Sequence, residues 1–147
     1  MQSRVRAPLD WATTQNDLAT ALTILGETGS GTQSLQQAIQ ACRAALEVWT
    51  QESDPLDWAG AHINLANALR LIAQKERRPP CEAVGAHQKA LVVFVRAGQY
   101  QTELATKVLR KDLAADPHPS PHNCPMIPTE TWKQVSRAIA TQFSSQE

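Results

Sequence analysis

Pro8-Leu9-Asp10-Trp11-Ala12 returns unchanged 47 residues later as Pro55-Leu56-Asp57-Trp58-Ala59. At the same offset Leu18-Ala19-Thr20-Ala21-Leu22 becomes Leu65-Ala66-Asn67-Ala68-Leu69, and Leu25 becomes Ile72. Further along, Ala38-Ile39 and Ala45-Leu46-Glu47-Val48-Trp49 match Ala83-Val84 and Ala90-Leu91-Val92-Val93-Phe94 at an offset of 45. Self-similarity at a period of this length marks a supersecondary unit used more than once, with the second copy two residues shorter in its loop.

Each copy has the apolar spacing of two helices. In the first segment Trp11, Leu18, Leu22 and Leu25 form one stripe, matched by Trp58, Leu65, Leu69 and Ile72. The partner segments place Leu35, Ala38, Ile39, Cys42, Ala45, Leu46 and Trp49, then Val84, His87, Ala90, Leu91 and Phe94, in steps of three and four. Pro8 and Pro55 suit a first helical position, where the missing N–H costs nothing, and Asp54 is placed to cap the second of these helices. Gly26 and Gly98 suit left-handed C-terminal caps, while Gly29-Ser30-Gly31 and Pro79-Pro80 supply the turns within each pair. The unit is an antiparallel helix pair, and small residues seven apart, Ala38 with Ala45 and Ala83 with Ala90, let its two helices approach closely.

These residues resemble the tetratricopeptide repeat in its long bacterial-type form, over residues 7–97. The family's helix-A signature falls on Leu18-Ala19-Leu22 and Leu65-Ala66-Leu69, and its helix-B signature on Ala38-Cys42-Ala45 and Ala83-His87-Ala90. The resemblance implies an all-α, right-handed solenoid with repeats at about 8–53 and 55–97, whose A helices line the concave face. It also implies groove-facing side chains at Asn16, Asp17, Thr20 and Thr23 in the first repeat and at Ile63, Asn64, Asn67 and Arg70 in the second. Amides there can bond a bound peptide backbone without reading its side chains. The lysine and first asparagine with which some members clamp a terminal carboxylate are replaced by Asn16 and Thr20, so that ligand is not expected.

After the repeats, Tyr100, Leu104, Ala105, Val108 and Leu109 continue helical spacing, so 99–115 reads as a third A-type or capping helix that completes a helical domain over 1–115. Residues 116–128 hold five of the nine prolines and read as an extended linker. The segment 129–147 then sets Trp132, Val135, Ile139 and Phe143 on one face of an amphipathic helix, with Thr129 as its cap. Such a stripe left in water invites aggregation, so the tail is expected to fold back onto the repeats or onto a second copy.

The chain has 147 residues with 14 basic and 14 acidic side chains. Zero net charge argues against nucleic-acid or membrane-surface binding, and no apolar run is long enough to span a bilayer. The N-terminus lacks a secretory apolar run, so a cytoplasmic protein is expected. Stacked repeats usually need about three units to bury a continuous core, and this chain has two, so a homodimer is the expected assembly. Residues 1–69 carry a net −4 and residues 70–96 a net +4, which favours contacts between unlike ends, an arrangement that propagates into filaments unless it closes. The odd set Cys42, Cys81 and Cys124 suits reduced thiols, and no bridge is expected.

Sites with chemistry are scarce. Gly26-Glu27-Thr28-Gly29-Ser30-Gly31-Thr32 lacks the lysine and the preceding strand of a phosphate loop. His118, His122 and Cys124 match no common zinc spacing. Cys42 and His87 lie on buried stripes, where a thiol is inert. Arg70, Lys75, Arg77 and Arg78 have no interleaved aromatics to stack on bases. The expectation is a protein without cofactor, metal or catalysis: an interaction module docking a peptide or partner helix in its groove. The alternative is a structural or regulatory subunit that binds through B-helix surfaces or the C-terminal helix.

Overall fold

Pro8 and Pro55 open two helices of 21 residues each. The computed structural model describes residues 4–29 and 31–144, which contain six helices and no strand: α1 (Pro8–Thr28), α2 (Gln33–Leu46), α3 (Pro55–Lys75), α4 (Cys81–Ala97), α5 (Gln99–Leu113) and α6 (Thr129–Ser144). The first bonds of the two proline-led helices run from the Trp11 N–H to the Ala7 carbonyl (2.9 Å) and from the Trp58 N–H to the Asp54 carbonyl (2.8 Å). Asp54 does not cap through its side chain. Its carboxylate instead accepts the Ser53 hydroxyl at 2.7 Å, because the preceding turn brings that nearer donor to it.

Short turns fold α1 onto α2 and α3 onto α4, and α2 joins the two pairs by packing on α3. α1 also touches α3, α5 lies on α4, and α6 lies against both α4 and α5. Ala38, Ala45, Ala83 and Ala90 are all fully buried, as close helix approach requires. One core, around α2, combines Ala19, Leu35, Ile39 and Cys42 with Leu65, Leu71 and Ile72 of α3. A second, around α4, combines Val84, Leu91 and Phe94 with Ala105 and Leu109 of α5, Cys124, Ile127, and Val135 of α6.

Two parts of α1 differ from the sequence expectation. Gly26 does not end the helix: it lies inside it, buried against Leu35, and a Cβ built there would stand 2.6 Å from Leu35 Cγ and Cδ2. The face that α1 buries is therefore Ala12, Ala19 and Gly26, small residues seven apart, while in the stripe beside it Trp11 and Leu22 are partly buried and Leu18 and Leu25 stay exposed. Leu35 is fully buried and cannot swing away. Gly26→Ala is accordingly expected to cost about 1–2 kcal/mol, overpacking of about 1–3 being offset by at most about 1 of helix propensity. A urea midpoint at or above wild type would show that α1 and α2 separate freely.

The proline-rich segment is likewise not an extended linker. Asn123 organises it: its Oδ1 accepts the Ser120 N–H (2.8 Å) and its Nδ2 donates to the His118 carbonyl (2.6 Å). The Cys124 N–H bonds the Ser120 carbonyl at 2.8 Å, and Pro119, Cys124 and Ile127 are buried. This return brings Cys124 to the start of α4, where it forms a disulfide with Cys81 (S–S 2.02 Å). The expectation of three free thiols is thus corrected, since a segment bent back by its own turn bonds supplies the proximity that spacing alone does not reveal. Cys42 remains free and buried, and burial pushes its thiol pKa up to about 12.

The Trp132 N–H bonds the Pro128 carbonyl, which puts Pro128 rather than Thr129 at the cap of α6. Val135 is buried, Trp132 packs against the α4 core, and Gln88 of α4 donates to Gln134 of α6. The side chains of Tyr100, Ile139 and Phe143 lie outside the described residues. Among the described residues no helix is long and apolar enough to cross a membrane.

Candidate functional site

α1 and α3 lie side by side, and a polar network ties them. The Asn64 amide donates both its hydrogens across the gap, to Asn16 Oδ1 at 2.9 Å and to Thr20 Oγ1 at 3.2 Å. The hydroxyls of Thr20 and Thr23 bond back to the carbonyls of Asn16 and Ala19 one turn earlier. Below them opens a cleft of about 200 Å³ lined by Thr20, Thr23, Ile24, Glu27, Asn64, Asn67, Arg70 and Leu71.

Five of the eight groove residues expected from the sequence thus share one cleft. Asn16 stands beside it as the acceptor for Asn64, whereas Asp17 is exposed and does not line it. Ile63 is turned to the α4 core, because an apolar side chain at that register gains more from burial against α4 and α5 than from water. Glu27 was missed, although the signal was present: it follows Thr20 and Thr23 one turn on, along the same face.

Arg70 has a second role that spacing did not indicate. Its Nε lies 3.6 Å from Asp112 Oδ1, and the other carboxylate oxygen of Asp112 takes a hydrogen bond from His87 Nδ1. Asp112 and His87 are fully buried, so three helices meet at one charged cluster: α3 through Arg70, α4 through His87 and α5 through Asp112. Burial raises the Asp112 carboxyl above the usual carboxylate range, opposed by the hydrogen bond and charge of His87 and by the charge of Arg70. Among the described residues the Nε2 of His87 has no partner.

Other candidate sets do not converge. His118 and His122 are exposed while the Cys124 sulfur is spent on Cys81, and among the described residues no three His, Cys, Asp or Glu side chains gather as a metal cage. The Gly29 carbonyl accepts Lys75 Nζ, so this part of the glycine turn presents a carbonyl to a lysine.

One titration follows from the packing. His62 is buried edge-on to Trp58, with ring centroids 4.3 Å apart, and its Nδ1 has no partner. Burial, helped by the charge of Lys89, lowers its pKa from 6.5 to about 4. Between those values the unfolded chain binds a proton that the folded chain refuses, so stability falls as pH drops from 6.5 towards 4. His62→Phe is expected to flatten that part of the Tm–pH profile, and an unchanged slope would mean that His62 ionises freely in the fold.

No protein-family model matches the chain, and neither a curated protein nor a solved structure matches it.

Proposed function

We propose that the chain is a non-catalytic protein-interaction module of the tetratricopeptide kind. In this reading two helix-pair repeats stack as a right-handed solenoid, α5 and α6 cap it, and a peptide or partner helix docks along α1 and α3. The observation that carries the reading is the cleft in which Thr20, Thr23, Asn67 and Arg70 gather between two helices of equivalent sequence. Asn67 lines the cleft, where its amide can serve a passing backbone as donor and acceptor. Glu27 and Arg70 add opposite charges that would fix the direction of such a guest.

Arg70 and Asn64 are poor test positions, since one faces a buried carboxylate and the other joins α1 to α3. The test is a display library of random peptides selected on the whole chain. Peptides that bind the groove should weaken by about tenfold or more with Asn67→Ala and with Glu27→Lys, while the variants melt as wild type does. Selected peptides indifferent to both substitutions would reject the groove. They would favour a second reading, a subunit that binds through its B helices and tail, supported by an apolar depression of about 290 Å³ between α4 and α6 lined by Leu91, Val92, Val95 and Arg96. Val95→Asp would then abolish the binding that the groove variants spare.

A further inference from the structure

The internal repeat supplies its own standard for what a leucine stripe should touch. Leu65 and Ile72 of α3 are 9% and 5% exposed because α2 covers them with Leu35, Ala38, Ile39 and Cys42. Their counterparts on α1, Leu18 and Leu25, are 46% and 61% exposed. Beside Leu18 and Leu22 runs a depression of about 370 Å³ between α1 and α2, floored by Ala41 and flanked by Gln15, Gln37 and Gln40. This is the same stripe with its cover missing.

We propose that this face docks an amphipathic helix from a partner protein, with small and aliphatic residues in steps of three and four on one side and lysine or arginine beside them. The apolar requirement is copied from the way α2 meets α3. The cationic requirement follows from charge: the exposed Asp10 and Asp17 each immediately precede a stripe residue, Trp11 and Leu18, α1 carries no lysine or arginine, and Arg4, which lies over Trp11, is already paired with Glu47. A second copy of this chain is a poor occupant in that register. Its α4 holds Val84, His87 and Leu91 where α2 holds Ile39, Cys42 and Leu46, and those residues are already buried, with His87 paired to Asp112 of α5. The face is separate from the α1–α3 cleft, so this proposal stands without the groove reading.

The probe is a labelled synthetic peptide of residues 33–49 carrying Cys42→Ala and Glu47→Lys, titrated into the whole chain and followed by anisotropy. Saturable binding is expected, weakened about tenfold or more by Leu18→Asp or Leu25→Asp and unaffected by Asn67→Ala. The peptide that keeps Glu47 should bind more weakly at low salt. Should an aspartate variant lose its helical spectrum, Gln40→Lys carries the test, because a cation in the depression should repel the basic peptide. No saturation by about 1 mM peptide, or equal binding by every variant, overturns the proposal. So does light scattering that finds a dimer which Leu25→Asp splits, since a second copy would then be the occupant.

Discussion

Asp112→Ala is expected to lower the unfolding free energy by about 3 kcal/mol or more. The carboxylate is fully buried and is the shared partner of His87 and Arg70, so deleting it leaves the His87 ring nitrogen without its hydrogen-bond partner and the Arg70 guanidinium without its counter-charge inside the fold. Removing one member of a buried ionic set typically costs about 3–5 kcal/mol, more than the set itself contributes, because the remaining group keeps its desolvation penalty. The double replacement His87→Leu with Asp112→Leu removes both and should cost far less than the sum of the single changes. Urea unfolding of the wild type, His87→Leu, Asp112→Leu and the double variant closes the cycle, and additive losses would show that the two side chains are independently solvated. The pH dependence has the opposite sign to that of His62. A carboxyl whose folded pKa is raised is protonated in the fold while it is ionised in the unfolded chain, so stability falls as pH rises from about 3.9 through that window. Asp112→Asn removes this slope.

Trp58→Ala is expected to cost about 3–5 kcal/mol, the usual loss for a large aromatic taken from a packed site. Trp58 stands where two apolar clusters meet. On one side it packs against the cluster of Ala12, Ala45, Trp49 and Ala61, and on the other against the α4 core. Its loss would therefore open both and strip His62 of its ring neighbour. Circular dichroism melting is the measurement. An unchanged Tm would mean that the two clusters close over the gap, and that the partly buried ring contributes little.

The helices were readable because their signals are local. The repeated Pro-Leu-Asp-Trp-Ala start sets the first turn of α1 and α3, and steps of three and four mark the remaining segments. Which side of α1 faces inward was not readable, because Ala12, Ala19 and Gly26 carry too little apolar surface to outrank leucines in a periodicity count. Only the approach of Leu35 decides it. The charged cluster was half visible: His87 was recognisable as a polar residue on a buried stripe, and Asp112 extends the stripe of Ala105 and Leu109 by one more step. That the two misplaced residues answer each other depends on α5 crossing α4, which no single segment encodes. The same holds for Cys81 and Cys124, whose meeting follows from a turn built by Asn123.

That bridge also changes what a pull on the chain would do. Cys81 and Cys124 are 43 positions apart in sequence, and the bond between them turns α4, α5 and the returning segment into a covalent ring. Tension applied at the two ends would travel through α1 to α3, cross the sulfurs, and continue into α6 without loading the ring. Held by its ends in an optical trap, the oxidised chain should stop lengthening about 150 Å short of the reduced one, at roughly 3.3–3.6 Å per shielded residue. α4 and α5 would then be shielded from the load that had drawn straight everything outside the ring.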